Sequence, residues 1–395
     1  MDVYGIEAGG LREAKEYLAS VGASAPGVRL MAPKAVHRLI RLAGVNPRQA
    51  NVIKQEMLAR GGDAALHRGV LDGTVESTDI LLMATLRQYE LFLAKLRMQP
   101  FGLAALADQI RKVLDNMEGA GPWRLSCRGR ELVLGERTYV MGILNVTPDS
   151  FSDGGRFADP GLALEHALAM VEDGADLIDL GAESTRPGYQ PVEPEEELRR
   201  IIPVLTRLVD KLPVPVSVDT SKASVARYCL EAGAHIINDQ WALTRDPAMA
   251  GVVAEYGVPV VLMHNRSDTV YRDLMGEIVD FFRTSMALGS QAGISQDQML
   301  VDPGFGFGKT PAQNLTVLRR LKELDCLGRP VLVGTSRKSM IGKTLDLPPA
   351  ERVEGTAATV ALAIAGGAAV VRVHDVREMA RVAKMTDAVV RTGGI

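Results

Sequence analysis

The stretch from Met141 to Gly155, MGILNVTPDSFSDGG, changes character halfway along its length. Its first residues are apolar enough for a buried strand, whereas the rest are mainly hydroxyl, carboxyl and glycine residues that strands disfavour. A plain turn after a strand needs only about two to five residues. We therefore predict a functional loop here, with Asn145 at its base and Phe151 and Asp153 near its tip.

Polar or charged side chains also stand where seven further apolar runs stop. In chain order, the eight sets are Asn145 with Thr147 to Asp153, Glu183 to Arg186, Asp219, Asn238 and Asp239, His264 and Asn265, Asp302, Ser336 to Lys338, and Arg372 to Asp375. If the runs are parallel strands of a βα barrel, their carboxyl ends meet at one face. One or two such ends would be read as solvated loop starts, but eight that point into one funnel predict an active site.

The residue types in these sets suit two chemical groups of a ligand. Asp219, Asn238 and Asp302 can accept hydrogen bonds from ring N–H and amino groups and donate to a ring carbonyl, which suits a flat nitrogen heterocycle such as a pterin. Cationic or hydrogen-bond-donating side chains suit a phosphate or pyrophosphate. These side chains are Arg337, Lys338, Arg372 and His374. The site is therefore expected to bind one heterocycle and one phosphate group.

The elements that must position these residues follow a βα rhythm from about Glu136 onward. The predicted strands are TYVMGILN, ADLIDLGAE, PVSVDTS, AHIINDQ, PVVLMHN, QMLVDPG, PVLVGTSR and AVVRVHDV. Candidate helices begin near Asp159, Pro194, Ser221, Asp246, Leu274, Thr310, Pro349 and Arg377. Eight such units in about 260 residues are typical of a TIM (β/α)8 barrel, so this α/β fold is predicted for residues 121–395.

The first 120 residues are predicted to form a small α/β domain of their own, because 395 residues exceed one ordinary core. Their pattern is helical near Leu11 to Ser20, Lys34 to Leu42 and Arg48 to Arg60, and strand-like at DILLMAT. They hold no convergent set of acids, histidines or glycines, so the role of this domain is left unassigned. The following peptide, WRLSCRGRELVLGERT, predicts a hairpin that closes the floor of the barrel.

Composition narrows the classes of function. A net charge of −3 offers no basic field for nucleic acid, and the three cysteines lack the spacing of a disulfide framework or a thiolate metal site. No apolar run approaches the roughly 18 residues of a membrane span, and the start has no features of a signal peptide, so a cytoplasmic location without membrane partners is expected. PGFGFGKT and SRKSMIGKT both lack the first glycine of a P-loop, which argues against a nucleotide site.

From about Trp123 to its end, the chain resembles the dihydropteroate synthase family. The likeness rests on motifs in the family's order: GILNVTPDSFSDGG, GAESTRPG, VSVDT, IIND, LMH, DPGFGFGKT, GTSRKS and VRVHDV. The resemblance implies an enzyme of folate biosynthesis that condenses 6-hydroxymethyl-7,8-dihydropterin pyrophosphate with p-aminobenzoate to give 7,8-dihydropteroate and pyrophosphate. It also implies Mg²⁺ as a cofactor, a homodimer, and competition by sulfonamides for the p-aminobenzoate site.

The resemblance further implies roles for individual residues. The pterin would be held by Asp219, Asn238, Asp302 and Lys338. The pyrophosphate would be held by Asn145, Arg372 and His374, with Asn145 as the metal ligand. The p-aminobenzoate pocket would be formed by Phe151, Thr185, Arg186, Pro187, Lys338 and Ser339. Catalytic roles would fall to Asp153, Arg186 and Lys338.

The sequence departs from the commonest family pattern at two places beside the expected pocket. Gln240 and Trp241 stand in place of a small-residue turn, and Asn265 and Arg266 follow LMH. Two alternative functions stay open. A methyltransferase that moves a methyl group from methyltetrahydrofolate to a corrinoid shares the barrel and the pterin-holding residues, but needs neither TPDSFSDGG nor the SRK cluster. A non-catalytic pterin-binding protein would have no use for the loop motifs and the cationic cluster that are all present.

Overall fold

The computed structural model describes residues 2–119, 121–146, 159–182 and 192–391. The described residues up to 119 belong to one compact unit, and those from 121 onward to a second. The loops TPDSFSDGG and STRPG lie outside the described residues. The residues of the expected site that fall on these loops are Phe151, Asp153, Thr185, Arg186 and Pro187.

The first unit packs helices against a three-stranded antiparallel sheet. Its elements are α1 (Leu11–Ser20), α2 (Ala25–Ala35), β1 (His37–Val45), α3 (Pro47–Leu58), β2 (Asp63–Leu66), β3 (Thr78–Thr85), α4 (Leu86–Leu96) and α5 (Leu103–Met117). The strands lie in the order β1-β3-β2. Ile40 and Leu82 are paired and buried in the core of this unit, whereas Leu39 and Leu81 are exposed. The sheet therefore has one covered face and one open face.

One helix predicted in this unit is wrong. The segment 34–42 contains the end of α2 and then most of β1. Within β1, Ile40 and Leu42 are buried while Arg41 between them is not. The strand pairs with β3 along its length, from His37 opposite Thr85. Because these hydrogen bonds come from a segment far along the chain, the local pattern did not reveal them.

A hairpin closes the floor of the second unit. β4 (Trp123–Cys127) pairs antiparallel with β5 (Arg130–Leu134). Leu125 and Leu134 of the hairpin are buried in an apolar cluster with side chains from the starts of the barrel strands. These include Leu177, Ile236, Leu300 and Leu332. The hairpin thus covers the end of the barrel opposite to the expected site.

Eight parallel strands form the barrel of the second unit. They are β6 (Tyr139–Asn145), β7 (Leu177–Gly181), β8 (Val216–Asp219), β9 (Ile236–Asp239), β10 (Val260–Met263), β11 (Met299–Asp302), β12 (Leu332–Val333) and β13 (Val370–Val373). Their order in the sheet is β11-β10-β9-β8-β7-β6-β13-β12, and a parallel bridge between Val301 and Val331 brings the two ends together. The predicted TIM barrel is confirmed.

Helices follow the strands as the sequence predicted, with one addition. They are α6 (Pro160–Glu172), α7 (Pro194–Lys211), α8 (Ala223–Glu231), α9 (Met249–Tyr256), α10 (Leu274–Ala292), α11 (Pro311–Arg319), α12 (Ser339–Leu345), α13 (Val353–Ala365) and α14 (Val376–Val390). Asp159 accepts hydrogen bonds from first-turn amides of α6, and Thr310 forms a capping box at α11. The short helix α12 was not predicted, and the helix expected near Pro349 begins at Val353.

The buried side chains of a strand change from apolar to polar on the way from floor to mouth. Leu177 of β7 and Ile236 of β9 lie in the cluster at the floor. Two residues later on the same strands come Asp179 and Asn238, which are also buried. Because side chains on one face of a strand recur at every second residue, each strand carries both layers. The polar layer lies under the expected site.

Candidate active site at the barrel mouth

The carboxyl ends of the strands surround a small cleft. Five residues of the expected site line this cleft: Asp219, Asn238, Asp302, Lys338 and Arg372. They come from four different strands and from the segment after β12, so the barrel brings together residues that are distant in sequence. The rest of the lining is Gln240, Met263, Phe305, Phe307 and Gly334. The cleft thus combines hydrogen-bonding groups with an apolar wall, which suits a small flat ligand.

Arg372 is held between two carboxylates. Its Nε donates to Oδ2 of Asp179 at 2.7 Å, and its Nη2 donates to Oδ2 of Asp219 at 3.3 Å. Burial works against the Arg372 cation, but the charges of Asp179 and Asp219 outweigh it and raise the pKa of Arg372 above its ordinary value. Arg372 is therefore a cation with a fixed orientation at the base of the cleft.

Both carboxylate oxygens of Asp219 accept hydrogen bonds from the protein. Gln240 donates through Nε2 to Oδ1 at 2.6 Å, and Arg372 donates to Oδ2. Burial, followed by the charge of Asp179, raises the pKa of Asp219 to about 7. The ionisation of Asp219 is therefore balanced near neutral pH.

Asp302 and Lys338 supply opposite charges to the same cleft. Asp302 accepts a hydrogen bond on Oδ1 from the backbone N–H of Gly304 at 2.7 Å, and burial raises its pKa to about 6. The Nζ of Lys338 lies 4.4 Å from the centre of the Phe307 ring. Burial, followed by the charge of Arg372, lowers the pKa of Lys338 to about 8. At pH 7 Asp302 is mostly an acceptor and Lys338 mostly a donor.

His374 forms a pair with Ser336 at the rim of the cleft. The Oγ of Ser336 lies 3.0 Å from Nδ1 of His374 and accepts from the backbone N–H of His374 at 3.1 Å. The surrounding protein, and then the charges of Arg372 and Arg337, lower the pKa of His374. Of the two roles expected for this residue, cation or neutral hydrogen-bond donor, the structure favours the neutral donor.

Arg337 and Ser339 flank Lys338 at the edge of the site. Arg337 donates through Nε to Asp375 at 3.1 Å, so its charge is compensated by a neighbour on the β13 side. Ser339 is exposed at the first position of α12. Both residues are therefore placed beside the cleft, and neither lines it.

Asn145 ends β6 and is exposed at the mouth. It is paired in register with Gly181 at the end of β7. A Cβ on Gly181 would lie 3.4 Å from Oδ1 of Asn145 and 3.6 Å from Cβ of Asp219. The absence of a side chain at Gly181 thus leaves Asn145 and Asp219 on either side of one small gap.

A buried lysine holds the glycine-rich loop that follows β11. The Nζ of Lys309 lies 2.8 Å from Nδ1 of His264 and donates to the carbonyl oxygens of Gly304 at 3.2 Å and Phe307 at 3.1 Å. Burial lowers the pKa of Lys309 to about 7. A Cβ on Gly304, where φ is +66°, would come within 2.0 Å of the carbonyl oxygen of His264. Glycine is therefore required here by backbone geometry.

Three residues of this arrangement received no role from the sequence: Asp179, Gln240 and Lys309. Asp179 carried a usable signal, since it interrupts a strand in which every residue is buried, and a lone buried charge is costly. Gln240 was noted only as a departure from the family pattern, and its contact with Asp219 depends on the fold. Lys309 is the lysine of the motif PGFGFGKT, which resembles a P-loop, and its contacts are structural.

Three further observations concern metals, membranes and thiols. Within the described ranges, no group of three or more His, Cys, Asp or Glu side chains is placed to hold a metal ion. No helix in this part of the chain has the length and apolar character needed to cross a bilayer. Among the described residues, Cys127, Cys229 and Cys326 form no disulfide.

Known proteins similar to this chain share the barrel. Residues 141–374 match the family described as Pterin binding enzyme. Over 260 residues the chain is 53% identical to the dihydropteroate synthase of Bacillus subtilis strain 168, which amounts to 66% of this chain and 91% of that protein. A crystal structure of the dihydropteroate synthase from Clostridium difficile, determined in the presence of pteroic acid, is 52% identical with a TM-score of 0.64. That likeness covers 66% of this chain and 99% of the other.

Another relative extends the likeness to the first unit. Over 394 residues the chain is 41% identical to a probable bifunctional folylpolyglutamate synthase/dihydropteroate synthase of Halobacterium salinarum. The match covers 97% of this chain but only 46% of that longer protein. The first unit therefore has a counterpart there, although the chain spans about half the length of that relative.

Proposed function

Because the chain belongs to the pterin binding enzyme family, and within it to the dihydropteroate synthases, we propose that its reaction takes place in the cleft at the barrel mouth. This reaction joins 6-hydroxymethyl-7,8-dihydropterin pyrophosphate to p-aminobenzoate, forms 7,8-dihydropteroate and releases pyrophosphate. One observation carries the proposal. The five expected residues Asp219, Asn238, Asp302, Lys338 and Arg372 line a single cleft.

Asp219, Asn238, Asp302 and Lys338 bind the pterin in this proposal. Asp302 has one oxygen occupied by the N–H of Gly304 and offers the other to a ring N–H or amino group. Lys338 is a donor at neutral pH and suits a ring carbonyl or ring nitrogen. Together these groups match a flat heterocycle that carries donors and acceptors along one edge.

Arg372 and His374 bind the pyrophosphate group. The contacts of Arg372 with described residues use Nε and Nη2, which leaves Nη1 to donate to a phosphate oxygen. The Oγ of Ser336 accepts a hydrogen bond from the backbone N–H of His374. The hydroxyl proton of Ser336 can therefore be donated to Nδ1 of the His374 ring. In that arrangement Nε2 of His374 carries the ring proton and donates to the ligand.

Asn145 completes this end of the site and is also the proposed ligand of Mg²⁺. Mg²⁺ prefers oxygen ligands and keeps several waters beside substrate phosphates, so it needs few protein side chains. The amide of Asn145 is exposed at the mouth, beside the gap at Gly181, and fits this demand. When bound, the metal would neutralise charge on the leaving pyrophosphate, while Asn145 would hold it at this end of the cleft.

The charges of the cleft suit the bond that breaks. Separation of pyrophosphate from the pterin methylene builds negative charge on the leaving group and positive charge on the pterin. Arg372 stabilises the first, while Asp219 and Asp302 stabilise the second. The aromatic amine of p-aminobenzoate is already a nucleophile, so it requires alignment and no strong base.

The p-aminobenzoate pocket is proposed beside Lys338 and Ser339. Ser339 is exposed immediately after Lys338 at the start of α12, next to the cleft. The other proposed members of this pocket, Phe151, Thr185, Arg186 and Pro187, lie outside the described residues. Catalytic roles are proposed for Lys338 in the cleft and for Asp153 and Arg186 on the two loops.

A synthase assay with matched variants tests the proposed site. With Mg²⁺, the pterin pyrophosphate and p-aminobenzoate, the purified chain is expected to form dihydropteroate, and a sulfonamide should compete with p-aminobenzoate. Asp302→Asn should weaken pterin binding about tenfold or more, as loss of a hydrogen bond to a charged group predicts. Asp297→Asn, at a surface carboxylate that is 77% exposed, is the control and should change little.

Two outcomes would contradict this proposal. Unchanged pterin binding in Asp302→Asn would remove the pterin site from this cleft. Methyl transfer from methyltetrahydrofolate to a corrinoid, without dihydropteroate formation, would favour the methyltransferase alternative.

We also propose that the chain works as a homodimer in the cytoplasm. The support is its membership of the family. Light scattering of the pure protein should give twice the mass of one chain, and a single-chain mass at all concentrations would contradict the dimer. Cell fractionation should place the activity in the cytosolic fraction.

A further inference from the structure

A buried carboxylate that no proposed ligand contact uses lies under the cleft. Asp179, in the middle of β7, has 0% of its surface exposed. Its partners in the sheet are Ile143 on β6 and Ser217 on β8. A charge this deep is costly unless it is paired and hydrogen-bonded, so its contacts indicate why it is there.

Asp179 joins two residues of the proposed site from opposite sides. Its Oδ2 accepts a hydrogen bond from Nε of Arg372 at 2.7 Å and another from Nδ2 of Asn238 at 3.1 Å. Arg372 stands on β13 and Asn238 on β9, each two strands away from β7 in opposite directions. In the proposed function Arg372 binds the pyrophosphate and Asn238 binds the pterin. One carboxylate therefore contacts a residue for each part of the same substrate.

The bond to Asn238 determines which end of its amide faces the cleft. The oxygen of an asparagine amide accepts, its NH2 group donates, and a half-turn of the amide exchanges the two. A carboxylate paired with an arginine can only accept, so Asp179 binds the NH2 end. The Oδ1 of Asn238 is then turned away from Asp179. Because Asn238 lines the cleft, Oδ1 is the atom left to accept from a ring N–H or amino group.

The bond to Arg372 restricts the guanidinium in the same way. Asp179 holds Nε, and Asp219 holds Nη2. A planar guanidinium held at two of its nitrogens cannot turn about its long axis without losing one of these bonds. The Nη1 group is therefore kept in a single direction.

We propose that Asp179 is a positioning residue, which touches no substrate and orients Asn238 toward the pterin and Arg372 toward the pyrophosphate. The inference rests on the proposed function, because it needs the ligand roles of Asn238 and Arg372. Removal of Asp179 should weaken binding of the pterin substrate. Binding of p-aminobenzoate should change little, because neither contact of Asp179 belongs to that pocket.

The first test is Asp179→Asn in the full chain. The substitution keeps the size of the side chain but replaces the carboxylate by an amide, which can either accept or donate depending on its orientation. The amide of Asn238 is then no longer forced into one orientation. The KM for the pterin pyrophosphate should rise about tenfold or more and the affinity for pteroic acid, measured by calorimetry, should fall in parallel. The KM for p-aminobenzoate should change less than about threefold. Ser217→Ala is the matched control, because Ser217 pairs with Asp179 in the sheet and its Oγ is buried without a partner among the described residues.

An exchange of the two residues separates positioning from a merely structural role. In Asp179→Asn combined with Asn238→Asp, the new amide at position 179 can donate to the new carboxylate at position 238. That carboxylate still presents an acceptor oxygen to the cleft, and the total charge is unchanged. The exchanged pair should recover the affinity for pteroic acid to within about threefold of the wild type. Recovery that is no better than Asp179→Asn alone would overturn the inference.

Asn238→Ala distinguishes failure of this inference from failure of the proposed function. Unchanged pteroic acid binding in Asn238→Ala would overturn both. Weakened binding in Asn238→Ala with unchanged binding in a folded Asp179→Asn variant would overturn only the role of Asp179. If Asp179→Asn does not fold, the exchanged pair decides: affinity within threefold of the wild type supports positioning, and weaker affinity or a failure to fold overturns it.

Discussion

At the scale of single residues, carboxylates outnumber cations in the cleft and the layer directly beneath it. Asp179, Asp219 and Asp302 face Arg372 and Lys338. Burial, followed by the charge of Asp179, raises the pKa of Asp219 to about 7. Burial alone raises the pKa of Asp302 to about 6, although the N–H of Gly304 and the nearby cations lower it. The arrangement costs stability in the empty protein and favours a ligand that gains positive charge as it reacts.

The pH dependence of activity follows from these groups. We expect kcat/KM for the pterin pyrophosphate to fall below about pH 7 as Asp219 gains a proton and loses an acceptor. It should also fall above about pH 8 as Lys338 loses the proton that it donates. The measured midpoints belong to the interacting cluster and not to one side chain. A pH–rate profile tests this, and constant kcat/KM from pH 6 to 9 would be inconsistent with it.

Protonation of Asp219 should have the opposite effect on stability: it lowers activity but raises the stability of the folded protein. The pKa of Asp219 is raised on folding, so the stability it contributes is complete below its ordinary value near 4 and is lost as pH rises through about 7. Asp219→Asn removes the excess carboxylate, while Arg372 keeps Asp179 as a partner. We expect Asp219→Asn to raise the melting temperature at pH 8 by about 2 °C or more and to raise it less at pH 5. Calorimetry at both pH values measures this, with Asp297→Asn as the surface control; a lower melting temperature at pH 8 would refute it.

At the scale of elements, the loop after β11 depends on close backbone contacts. Gly304 has a positive φ and lies against the carbonyl of His264, while Lys309 bonds to the carbonyls of Gly304 and Phe307. Since Phe305 and Phe307 of this loop line the cleft, the bracing by Lys309 holds part of the site. The loop is thus a structural support of the proposed pterin pocket, although its sequence resembles a phosphate-binding motif.

Two glycine substitutions test this role. Gly304→Ala should lower the free energy of unfolding by about 2 kcal/mol or more, because it combines a positive φ with a clash against backbone. Gly251→Ala is the control: Gly251 is exposed within α9 with nothing within 4 Å of a new Cβ, so it should be neutral or stabilise by up to about 1 kcal/mol. Urea unfolding of both variants measures the difference. Equal effects at the two positions would show that the loop geometry is not restrictive.

At the scale of the whole molecule, each unit has its own core. The buried apolar cluster of the first unit contains only residues up to Leu114, and the two clusters of the second contain only residues from Leu125 onward. Each unit therefore buries its apolar surface within itself, as independently folding domains do.

Deletion of residues 1–120 tests this independence. The remaining chain should fold cooperatively and keep synthase activity within about threefold of the full protein, because its core and its cleft are built from its own residues. Circular dichroism, thermal unfolding and the synthase assay measure this. An insoluble or inactive product would show that the first unit is required, and loss of dimer mass alone would assign it to assembly.

Much of the barrel and of the site could be predicted from the sequence alone. Apolar runs alternate with helical segments, and this alternation predicted the barrel. Each run stops at polar residues, and the carboxyl ends of the strands of a TIM barrel meet at one face. These two facts predicted the convergence of Asp219, Asn238, Asp302, Lys338 and Arg372. These features are encoded locally, in strand periodicity and in the residues at strand ends.

Only the tertiary structure decided which of these residues contact one another. The strand β1 forms only because it pairs with β3, which is distant in sequence. The proposed role of Asp179 depends on its contacts with Arg372 and Asn238, which lie on strands far away in sequence. The balanced ionisation of Asp219 likewise depends on burial and on neighbouring charges. Pairing, burial and electrostatic coupling depend on the positions of residues in space. The sequence pattern therefore predicts which end of the barrel carries the polar groups. The fold determines which of these groups are placed to contact a ligand and which are placed to hold the others in position.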